Sequence, residues 1–231
     1  MDGFDAVTSR DRAAWVAPAE TLLVADLHLG RVRRSRVELP IAEATDLRDR
    51  LQRHLDAVAP ARIVVAGDLL HAFDHLPAGV SRAVQDLQAL VEDAGAQFTV
   101  VAGNHDGLLD QVPGIEPESF LWLDDETVVH HGHEVPAVSA DRYVIGHDHP
   151  AITIEGDRRP CFLDCPNQYD GADVLVLPAF SRVAPGTPVN GLDSDDVMSP
   201  LLTDLDGCRP VVPTAAEPLT FPPLGELRPH L

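Results

Sequence analysis

Five short segments rich in aspartate, histidine and asparagine contain a set of side chains that could do chemistry. Carboxylate, imidazole and amide groups, with no thiolate among them, suit Mn, Fe or Zn. Two such ions need several ligands each and a carboxylate that holds them about 3.5–4 Å apart. The segments together therefore predict a two-metal centre able to cleave phosphate esters. They are Asp26-Leu27-His28, Gly67-Asp68-Leu69-Leu70-His71, Gly103-Asn104-His105-Asp106, His130-His131-Gly132-His133 and Gly146-His147-Asp148-His149.

Apolar runs typical of buried strands come directly before three of these segments. Each run would place the polar side chains that follow it at a strand end, where α/β proteins build their sites. Asp26 and His28 are two residues apart, and so are His147 and His149. Because residues two apart in a strand point to the same side, the two members of each pair are expected to point to the same side of the strand end. The three runs are residues 21–25, 63–66 and 98–102.

The elements between these runs predict an α/β fold. Helical spacing of apolar residues covers residues 41–59 and 79–94, with Pro60 closing the first helix and Gly95 capping the second. The order strand, helix, strand, helix, strand is a βαβαβ unit with parallel strands buried on both faces. The second half is richer in short strands and predicts another sheet. Its predicted strands are residues 121–130, 142–145, 151–154, 160–163 and 174–177.

Length and composition fit one domain of moderate size, since the chain has 231 residues of which 45% are hydrophobic. No apolar run approaches the roughly 18 residues that would span a membrane. The first residues lack the basic start and apolar stretch of a signal peptide, so we expect a cytoplasmic protein. Proline, glycine and aspartate increase after residue 184. We expect one domain over residues 1–210 and an irregular, proline-rich tail over residues 211–231.

The chain is strongly acidic. Its formal net charge is -20, and all 17 basic residues are arginine because the sequence contains no lysine. Acidic proteins usually repel nucleic acid, but this composition is also typical of proteins in molar salt, where charges are screened over about 3 Å. We interpret the chain as halophilic, with an ordinary acidic protein as the alternative. In molar salt, acidity does not exclude a nucleic-acid substrate.

The cysteines predict neither a disulfide framework nor a zinc site. An odd, small number of cysteines in a cytoplasmic chain does not suggest disulfides. Cys161 and Cys165 are four residues apart, but no second ligand pair follows them at zinc-finger spacing. We therefore expect Cys161, Cys165 and Cys208 to be ordinary small residues.

In their order, the five segments resemble the calcineurin-like metallophosphoesterase superfamily, with its motifs DxH, GDxxH, GNHD, HG and GHxH. In particular, the chain is similar to small, mostly archaeal phosphoesterases related to the SbcD repair nuclease, and its acidity points to a haloarchaeal member. Gly30, Phe73 and residues 177–181 add to this similarity. The motifs span residues 26–149, and the similarity extends to about residue 210. The resemblance implies a four-layer α-β-β-α sandwich of two mixed sheets.

The resemblance also implies roles for the motif residues. His105 would donate a hydrogen bond to the phosphate and protonate the leaving oxygen, with Asp106 orienting it. The last position of the second motif, generally aspartate in the superfamily and usually not a direct ligand, is His71 here. The first metal would be held by Asp26, His28, Asp68 and His149. The second would be held by Asp68, Asn104, His131 and His147, with Asp68 bridging.

The implied cofactor is a pair of divalent ions, Mn by preference, with Fe or Zn as alternatives. Two cations would neutralise the phosphoryl oxygens and lower the pKa of a bridging water toward ~7, so that hydroxide attacks in line. A general acid on the far side, here His105, would stabilise the departing oxygen and contribute about 10²–10⁴-fold.

Several nearby residues keep alternative interpretations. His131 is favoured over His130 as the ligand, and His133 is expected to support a ligand or to face solvent. His71 and His75 could contact a ligand or the substrate, or lie on the surface. An arginine cluster after the first motif could hold phosphate or a nucleic-acid backbone, although a solvated face is the preferred interpretation. The cluster is Arg31, Arg33, Arg34 and Arg36.

The predicted function is metal-dependent hydrolysis of phosphate esters, with phosphodiesters or nucleic acid as the preferred substrates. One alternative is a phosphatase or diesterase for a small metabolite or nucleotide. Another is a non-catalytic metal-binding scaffold, which the presence of every expected ligand and of His105 weakens. The chain after residue 184 is too short for the DNA-binding cap and the ATPase-engaging segment of the repair nucleases. Protein partners and oligomeric state are left open.

Overall fold

The computed structural model describes residues 6–31 and 39–230, with side chains from residue 43 onward in the second range. The first sheet has five strands in chain order. They are β1 (Val7–Arg10), β2 (Ala13–Val16), β3 (Thr21–Val24), β4 (Arg62–Ala66) and β5 (Gln97–Val101). The last three are parallel, and helices α1 (Leu39–Val58) and α2 (Val80–Asp93) join them, so the predicted βαβαβ unit is confirmed.

The second half forms two further sheets, as expected for a β-rich region. Its strands are β6 (Leu121–Trp122), β7 (Thr127–Val129), β8 (Arg142–Ile145), β9 (Pro150–Ile154), β10 (Asp157–Pro160), β11 (Phe162–Cys165), β12 (Asp173–Val176), β13 (Thr187–Pro188), β14 (Arg209–Val212) and β15 (Leu219–Thr220). Seven of them form a mixed sheet in the order β15-β14-β11-β12-β8-β7-β6. In it, β8 pairs in parallel with both β7 and β12. A small sheet contains β10, β9 and β13.

Three apolar clusters separate four layers. Alternation along β3 sends Leu22 toward the two long helices and Leu23 toward the seven-stranded sheet, as the period of two requires. Between the two large sheets, Leu23 belongs to one cluster with Val144 and Leu175. A third cluster covers the outer face of the seven-stranded sheet, where Leu201 joins Val174 of that sheet. The α/β class with packed mixed sheets is therefore confirmed.

The fourth layer is less helical than the resemblance implies. In the described residues it contains the four-residue helix α3 (Leu224–Leu227) and short 3-10 turns, together with the chain around Leu201 and Leu205. Pro185, Pro188 and Pro200 lie in this part of the chain. Since proline in a helix interior costs about 3 kcal/mol or more, this sequence favours turns over a long helix.

The stretch predicted as a tail contributes to the fold. Residues 211 and 212 complete β14, and β15 follows at the edge of the seven-stranded sheet. Leu224 and Leu227 of α3 are buried in the outer cluster. The segment is therefore not irregular throughout, because its few apolar residues dock onto the sheet. The division of the chain at residue 210 stays a prediction.

The expectation for the cysteines is wrong, because Cys165 and Cys208 form a disulfide. Their strands pair antiparallel with Leu163 opposite Pro210 and Asp164 opposite Arg209. Continuing that register places Cys165 opposite Cys208, and their Cα atoms are 4.1 Å apart. The pairing depends on contact between segments 43 residues apart, which spacing along the sequence does not reveal. Cys161 is free and buried.

None of the helices in residues 6–31 and 39–230 combines the length and the apolarity needed to cross a membrane.

Candidate metal centre

The five polar segments meet at one edge of the two large sheets. Asp26, Asp68 and Asn104 follow the parallel strands β3, β4 and β5 by two or three residues. Backbone bonds tie these strand ends together, with the Asp26 N–H donating to the Gly67 carbonyl at 3.0 Å. On the second sheet, the Gly146 N–H donates to the His131 carbonyl at 3.1 Å. The carboxyl ends of the strands therefore bring the predicted residues into one place, as in other open α/β sheets.

Five of the seven predicted ligands have a left-handed backbone. The prediction that Asp26 and His28, and likewise His147 and His149, point to one side of an extended strand is therefore wrong. Each meets the site through a sharp turn instead, a conformation that costs a non-glycine residue of order 1–2 kcal/mol. Strain of this kind persists where surrounding structure fixes the chain and is concentrated at functional sites. The φ values are 55° at Asp26, 50° at His28, 52° at Asp68, 70° at His147 and 48° at His149.

Asp26, His28 and His149 form the first group of possible metal ligands. One ligand atom from each lies within 4.8 Å of the others. His149 Nε2 is 3.1 Å from Asp26 Oδ1 and 3.1 Å from His28 Nε2. His28 Nδ1 is buried and has no hydrogen-bond partner among the described residues. The three side chains can therefore turn nitrogen and oxygen atoms toward a single ion.

Asp26, Asp68 and His131 form the second group, which shares Asp26 with the first. His131 Nε2 lies 3.4 Å from Asp68 Oδ1 and 3.1 Å from the amide oxygen of Asn104. The other ring nitrogen, Nδ1, is 3.0 Å from the Ala66 carbonyl oxygen. An N–H at Nδ1 would satisfy this carbonyl and leave Nε2 free as a ligand, an arrangement that metal-binding histidines generally use.

Asp68 lies between the two groups. Its Oδ2 is 3.8 Å from His28 Nδ1, and its Oδ1 is 3.4 Å from His131 Nε2. The same Oδ1 accepts a hydrogen bond of 2.9 Å from the His105 N–H. One carboxylate therefore has an oxygen directed at each group, which is the position that a bridging ligand needs.

His147 and Asp148 occupy the turn after β8. The His147 N–H donates to the Asp26 carboxylate at 3.2 Å, and its ring centroid is 5.0 Å from that of His131. Asp148 turns away from the metal ligands and accepts a hydrogen bond of 2.8 Å from the Met198 N–H. Asp148 is buried and anchors this ligand-bearing turn to the fourth layer, a role that sequence reasoning missed.

His105 lies at the open side of the site, and Asp106 makes no hydrogen bond to its ring. His105 Nδ1 has no hydrogen-bond partner among the described residues. The buried Asp106 carboxylate instead accepts backbone N–H groups from Leu70 at 2.8 Å and Gly103 at 2.9 Å. A carboxylate surrounded by orphan N–H groups satisfies these first, because unpaired buried donors are costly. Asp106 therefore fixes the loop that carries His105 and does not contact the imidazole through a hydrogen bond.

His71, in the last position of the second motif, joins the site more closely than the sequence indicates. It shares a possible ligand cluster with His28 and His105. Its ring stacks on that of His105 with centroids 4.7 Å apart. Phe73 follows, 65% exposed, with its ring centroid 4.7 Å from His105. An exposed phenylalanine beside a polar site is a surface on which a flat ligand group can stack.

The remaining alternatives are partly resolved. His130 Nδ1 accepts a hydrogen bond from the Gly132 N–H, and the ring belongs to none of the possible ligand clusters in the described residues. The His133 ring is 5.3 Å from that of His131, and His75 is exposed. Arg31 is exposed, whereas the rest of the predicted arginine cluster, Arg33, Arg34 and Arg36, lies outside the described residues.

Burial sets the charge of these groups. It lowers the pKa of His28 to about 3 and the pKa values of His105 and His147 to about 4, so the three rings are neutral near pH 7. Burial, followed by the charge of Asp26, raises the pKa of Asp68 to about 8. Burial also opposes ionisation of Asp26, but the neighbouring histidines His149, His131 and His28 together outweigh it and lower that pKa.

These donors fit divalent cations. Neutral imidazoles and ionised carboxylates are the forms that bind metals, and a cation beside Asp68 would favour its charged form. The unpartnered His28 Nδ1 and the clustered ligand atoms supply nitrogen and oxygen without thiolate. The structure therefore contains groups able to bind metal, while the assignment of each ligand stays a prediction.

Two glycines shape the site by the room that they leave for other side chains. A Cβ at Gly67, where φ is +85°, would lie 2.1 Å from His131 Nδ1. A Cβ at Gly103 would lie 2.2 Å from Asp68 Oδ1. The glycines of the GD and GN motifs therefore leave room for ligands, His131 of the facing sheet at Gly67 and Asp68 after the neighbouring strand β4 at Gly103. Their spacing before Asp68 and Asn104 was visible in the sequence, but the residues they admit were not.

An α/β sandwich that gathers aspartate, histidine and asparagine at the strand ends of two sheets defines a metal-dependent phosphoesterase. Residues 20–149 match the calcineurin-like phosphoesterase family. The chain belongs to this family, whose members depend on divalent metals, and the predicted enzyme class, a hydrolase of phosphate esters, is confirmed.

A solved structure shares the fold. The nuclease MPE of Pseudomonas putida aligns with a TM-score of 0.66 and 22% identity, over 90% of this chain and 92% of that chain. YfcE, a phosphoesterase from E. coli, aligns with a TM-score of 0.44 and 18% identity, over 75% of this chain and 84% of that chain. A comparison with curated proteins finds no match.

Proposed function

We propose that this protein hydrolyses phosphodiesters with two divalent ions, and that nucleic acid is the substrate class. The observation that carries the proposal is the position of Asp68, with one oxygen directed toward His28 and the other toward His131. The first ion would be held by Asp26, His28, Asp68 and His149. The second would be held by Asp68, Asn104, His131 and His147.

When bound, the ions would supply positive charge for the phosphoryl oxygens and a nucleophile at neutral pH. Mn is the preferred metal because the donors are carboxylate, imidazole and amide, with Fe or Zn as alternatives. The chain's own contribution is to hold these donors before the substrate arrives. The left-handed turns and the His131–Ala66 contact fix their directions.

His105 is proposed as the proton donor to the leaving oxygen. Its side chain is 21% exposed, and its Nε2 is 3.8 Å from Asp68 Oδ2, so it faces the site from the solvent side. The ring is neutral in the free protein, but an anionic phosphate beside it would favour the protonated form. Asp106 positions this ring through the backbone of its loop.

The choice of nucleic acid is supported by the exposed Phe73 beside His105, since base stacking on aromatic side chains is common in single-stranded recognition. The name of the Pseudomonas neighbour, a nuclease, agrees with this choice. We also propose membership of the SbcD-related branch and a halophilic, haloarchaeal origin, which the motif details and the lysine-free acidic composition support.

The test is an activity screen in molar salt with Mn. It compares bis-p-nitrophenyl phosphate, p-nitrophenyl phosphate, cyclic nucleotides and single- and double-stranded DNA. We expect diesters and DNA to be cleaved. Cleavage of monoesters alone would reject the nuclease proposal in favour of a small-molecule phosphatase. No turnover with both metals bound would favour the scaffold.

Variants separate metal binding from proton donation. His105→Ala should keep both metals and lose about 10²–10⁴-fold in kcat, whereas Asp68→Ala should lose both metals and activity. His131→Ala should lose metal while His133→Ala, from the same loop, keeps it. Two bound metals in Asp68→Ala would contradict the bridging assignment, and metal loss in His105→Ala would contradict the proton-donor role.

A further inference from the structure

Two adjoining cavities on the edge of the first sheet contain an unusual share of the positive charge. The larger, of about 460 Å³, is lined by Arg10, Arg50, Arg53 and Arg182. The smaller, of about 340 Å³, shares Asp11 and Arg182 with it and adds Arg12 and Arg159. Six of the 17 arginines of a chain with net charge -20 therefore lie along one continuous surface, which we call the arginine channel.

Acidic partners neutralise only part of this charge. Arg50 is fully buried and pairs with Asp11 at 2.7 Å, and Arg182 pairs with Asp46 at 3.0 Å. Arg10 and Arg53 are exposed and make no ion pair within the described residues. His54, which also lines the larger cavity, has its pKa lowered to about 4 by burial and adds no charge near pH 7. The channel therefore keeps a surplus of positive charge.

Crowding of the arginines agrees with that surplus. Burial, followed by the charge of Arg50, lowers the pKa of Arg12 to about 10. Like charges held together in this way are stabilised when an anion binds between them.

A residue with a buried, unpartnered polar atom lies beside the channel. Ser9 on β1 is 8% exposed and lines the larger cavity. Its hydroxyl oxygen has no hydrogen-bond partner among the described residues. Because β1 is the edge strand of the five-stranded sheet, this face of the cavity is not covered by another strand of that sheet.

The channel is joined to the candidate metal centre by residues 179–181. Arg12 donates to the carbonyls of Ala179 at 3.2 Å and Ser181 at 2.6 Å, and Arg50 donates to the carbonyl of Phe180. From the other side, the Phe180 N–H donates to the Ala25 carbonyl at 2.7 Å. One short segment therefore contacts both the arginine channel and the residue before the metal ligand Asp26.

We propose that the arginine channel binds the phosphate groups of a nucleic-acid strand at a distance from the scissile bond. Two adjoining cavities with five partly or fully exposed arginines, beside the buried Arg50, fit a chain of phosphates better than one small anion, and guanidinium groups match phosphate oxygens in pairs. The channel would then hold the substrate strand while the metal centre cuts it. This inference rests on the proposed nucleic-acid substrate.

The test measures binding separately from cleavage. Fluorescence anisotropy records the binding of a labelled 20-nucleotide oligothymidylate to the Mn-loaded His105→Ala protein, over the range of salt in which the protein stays folded. The same measurement is made on a His105→Ala protein that also carries Arg10→Gln and Arg53→Gln. Arg82→Gln is the matched control, because Arg82 is 78% exposed on α2 and lines neither cavity of the channel.

Each lost phosphate contact on a single strand should reduce the slope of log affinity against log salt by about 0.7. The slope for the double variant should therefore be smaller by about 1.4. A fivefold dilution of salt should then increase the difference in affinity between the protein with both arginines and the double variant about tenfold. Arg82→Gln should leave the slope unchanged. Turnover of bis-p-nitrophenyl phosphate should be unaffected by Arg10→Gln and Arg53→Gln in the otherwise wild-type enzyme.

Competitors identify the chemistry that is recognised. Inorganic polyphosphate should displace the oligonucleotide, and an uncharged methylphosphonate oligonucleotide should bind weakly with or without the arginines. An unchanged slope in the double variant, or equal displacement by polyglutamate, would overturn the inference. If the wild-type enzyme turned over no substrate at all, this would instead count against the proposed function. The binding result would still be measured independently.

Discussion

Substitution of Gly67 by alanine tests whether the backbone behind Asp68 is shaped to admit His131. The new Cβ would lie 2.1 Å from His131 Nδ1 and 2.3 Å from its Cγ. The His131 ring is 0% exposed, so it has no open space in which to move aside. The ring must shift and weaken its contact with the Ala66 carbonyl, now at 3.0 Å. The direction of Nε2 toward Asp68 would change with it.

Two contributions make up the expected magnitude. A non-glycine residue at a φ of +85° costs about 1–2 kcal/mol, and overpacking of a buried site typically costs about 1–3 kcal/mol more. Metal affinity should also fall about 10–100-fold, as it does when a partner that orients a histidine ligand is lost.

Gly95→Ala is the matched control. Its φ is +83°, but no atom lies within 4 Å of the added Cβ. It should therefore show the backbone cost without the overpacking and without any change in metal affinity. Thermal unfolding gives the stability difference, and calorimetric titration with Mn gives the affinity. Equal stability loss and equal Mn affinity in the two variants would refute the idea that Gly67 makes room for a ligand.

Three further predictions concern other parts of the molecule. Reduction of the Cys165–Cys208 disulfide should lower the free energy of unfolding by up to about 4 kcal/mol, the chain-entropy value for a separation of 43 residues. Cys208→Ser should lower it equally, and equal thermal midpoints in oxidised and reduced protein would contradict the prediction. The pKa of His54 is about 4 in the folded protein and about 6.5 in the unfolded chain, so the unfolded chain is protonated first as the pH falls. The free energy of unfolding should therefore decrease by up to about 3 kcal/mol between pH 6.5 and pH 4. The difference between the wild type and His54→Gln in urea titrations isolates that loss, and parallel pH profiles would exclude it. Phe73→Ala should raise KM for a dinucleotide about 5- to 150-fold, because base stacking contributes about 1–3 kcal/mol. KM for methyl p-nitrophenyl phosphate should change less, and Phe73→Trp should restore binding of the dinucleotide. An equal change in KM for both substrates would argue against stacking.

The first half of the fold could be predicted because its signals are local. Three apolar runs and two helical stripes determine the βαβαβ unit, and the polar residues after the runs determine which edge carries the site. Asp26 and Asp68 could be selected in this way, whereas His131 was chosen through the family resemblance, and the structure brings the three together. Here the strand order follows the chain order.

The second half could not be predicted in the same detail because its pairing is set by distant segments. Strands of two to five residues carry little pattern, and β8 pairs both with β7, which precedes it, and with β12, from which β9, β10 and β11 separate it. The same difficulty hid the disulfide. It also hid the hydrogen bonds of Asp106. One of its donors, Gly103, is close in the sequence, but another, Leu70, is 36 residues away.

The left-handed turns at the metal ligands have a consequence for redesign. Aspartate, asparagine and histidine tolerate a positive φ better than other residues with a side chain, whereas β-branched residues do so poorly. The backbone at Asp26, Asp68 and His147 therefore restricts the residues that can occupy these positions, independently of any metal. A transplant of this ligand set into another scaffold would have to carry the turns as well as the side chains. Ligands placed on regular strands would have the same chemistry but aim it in different directions.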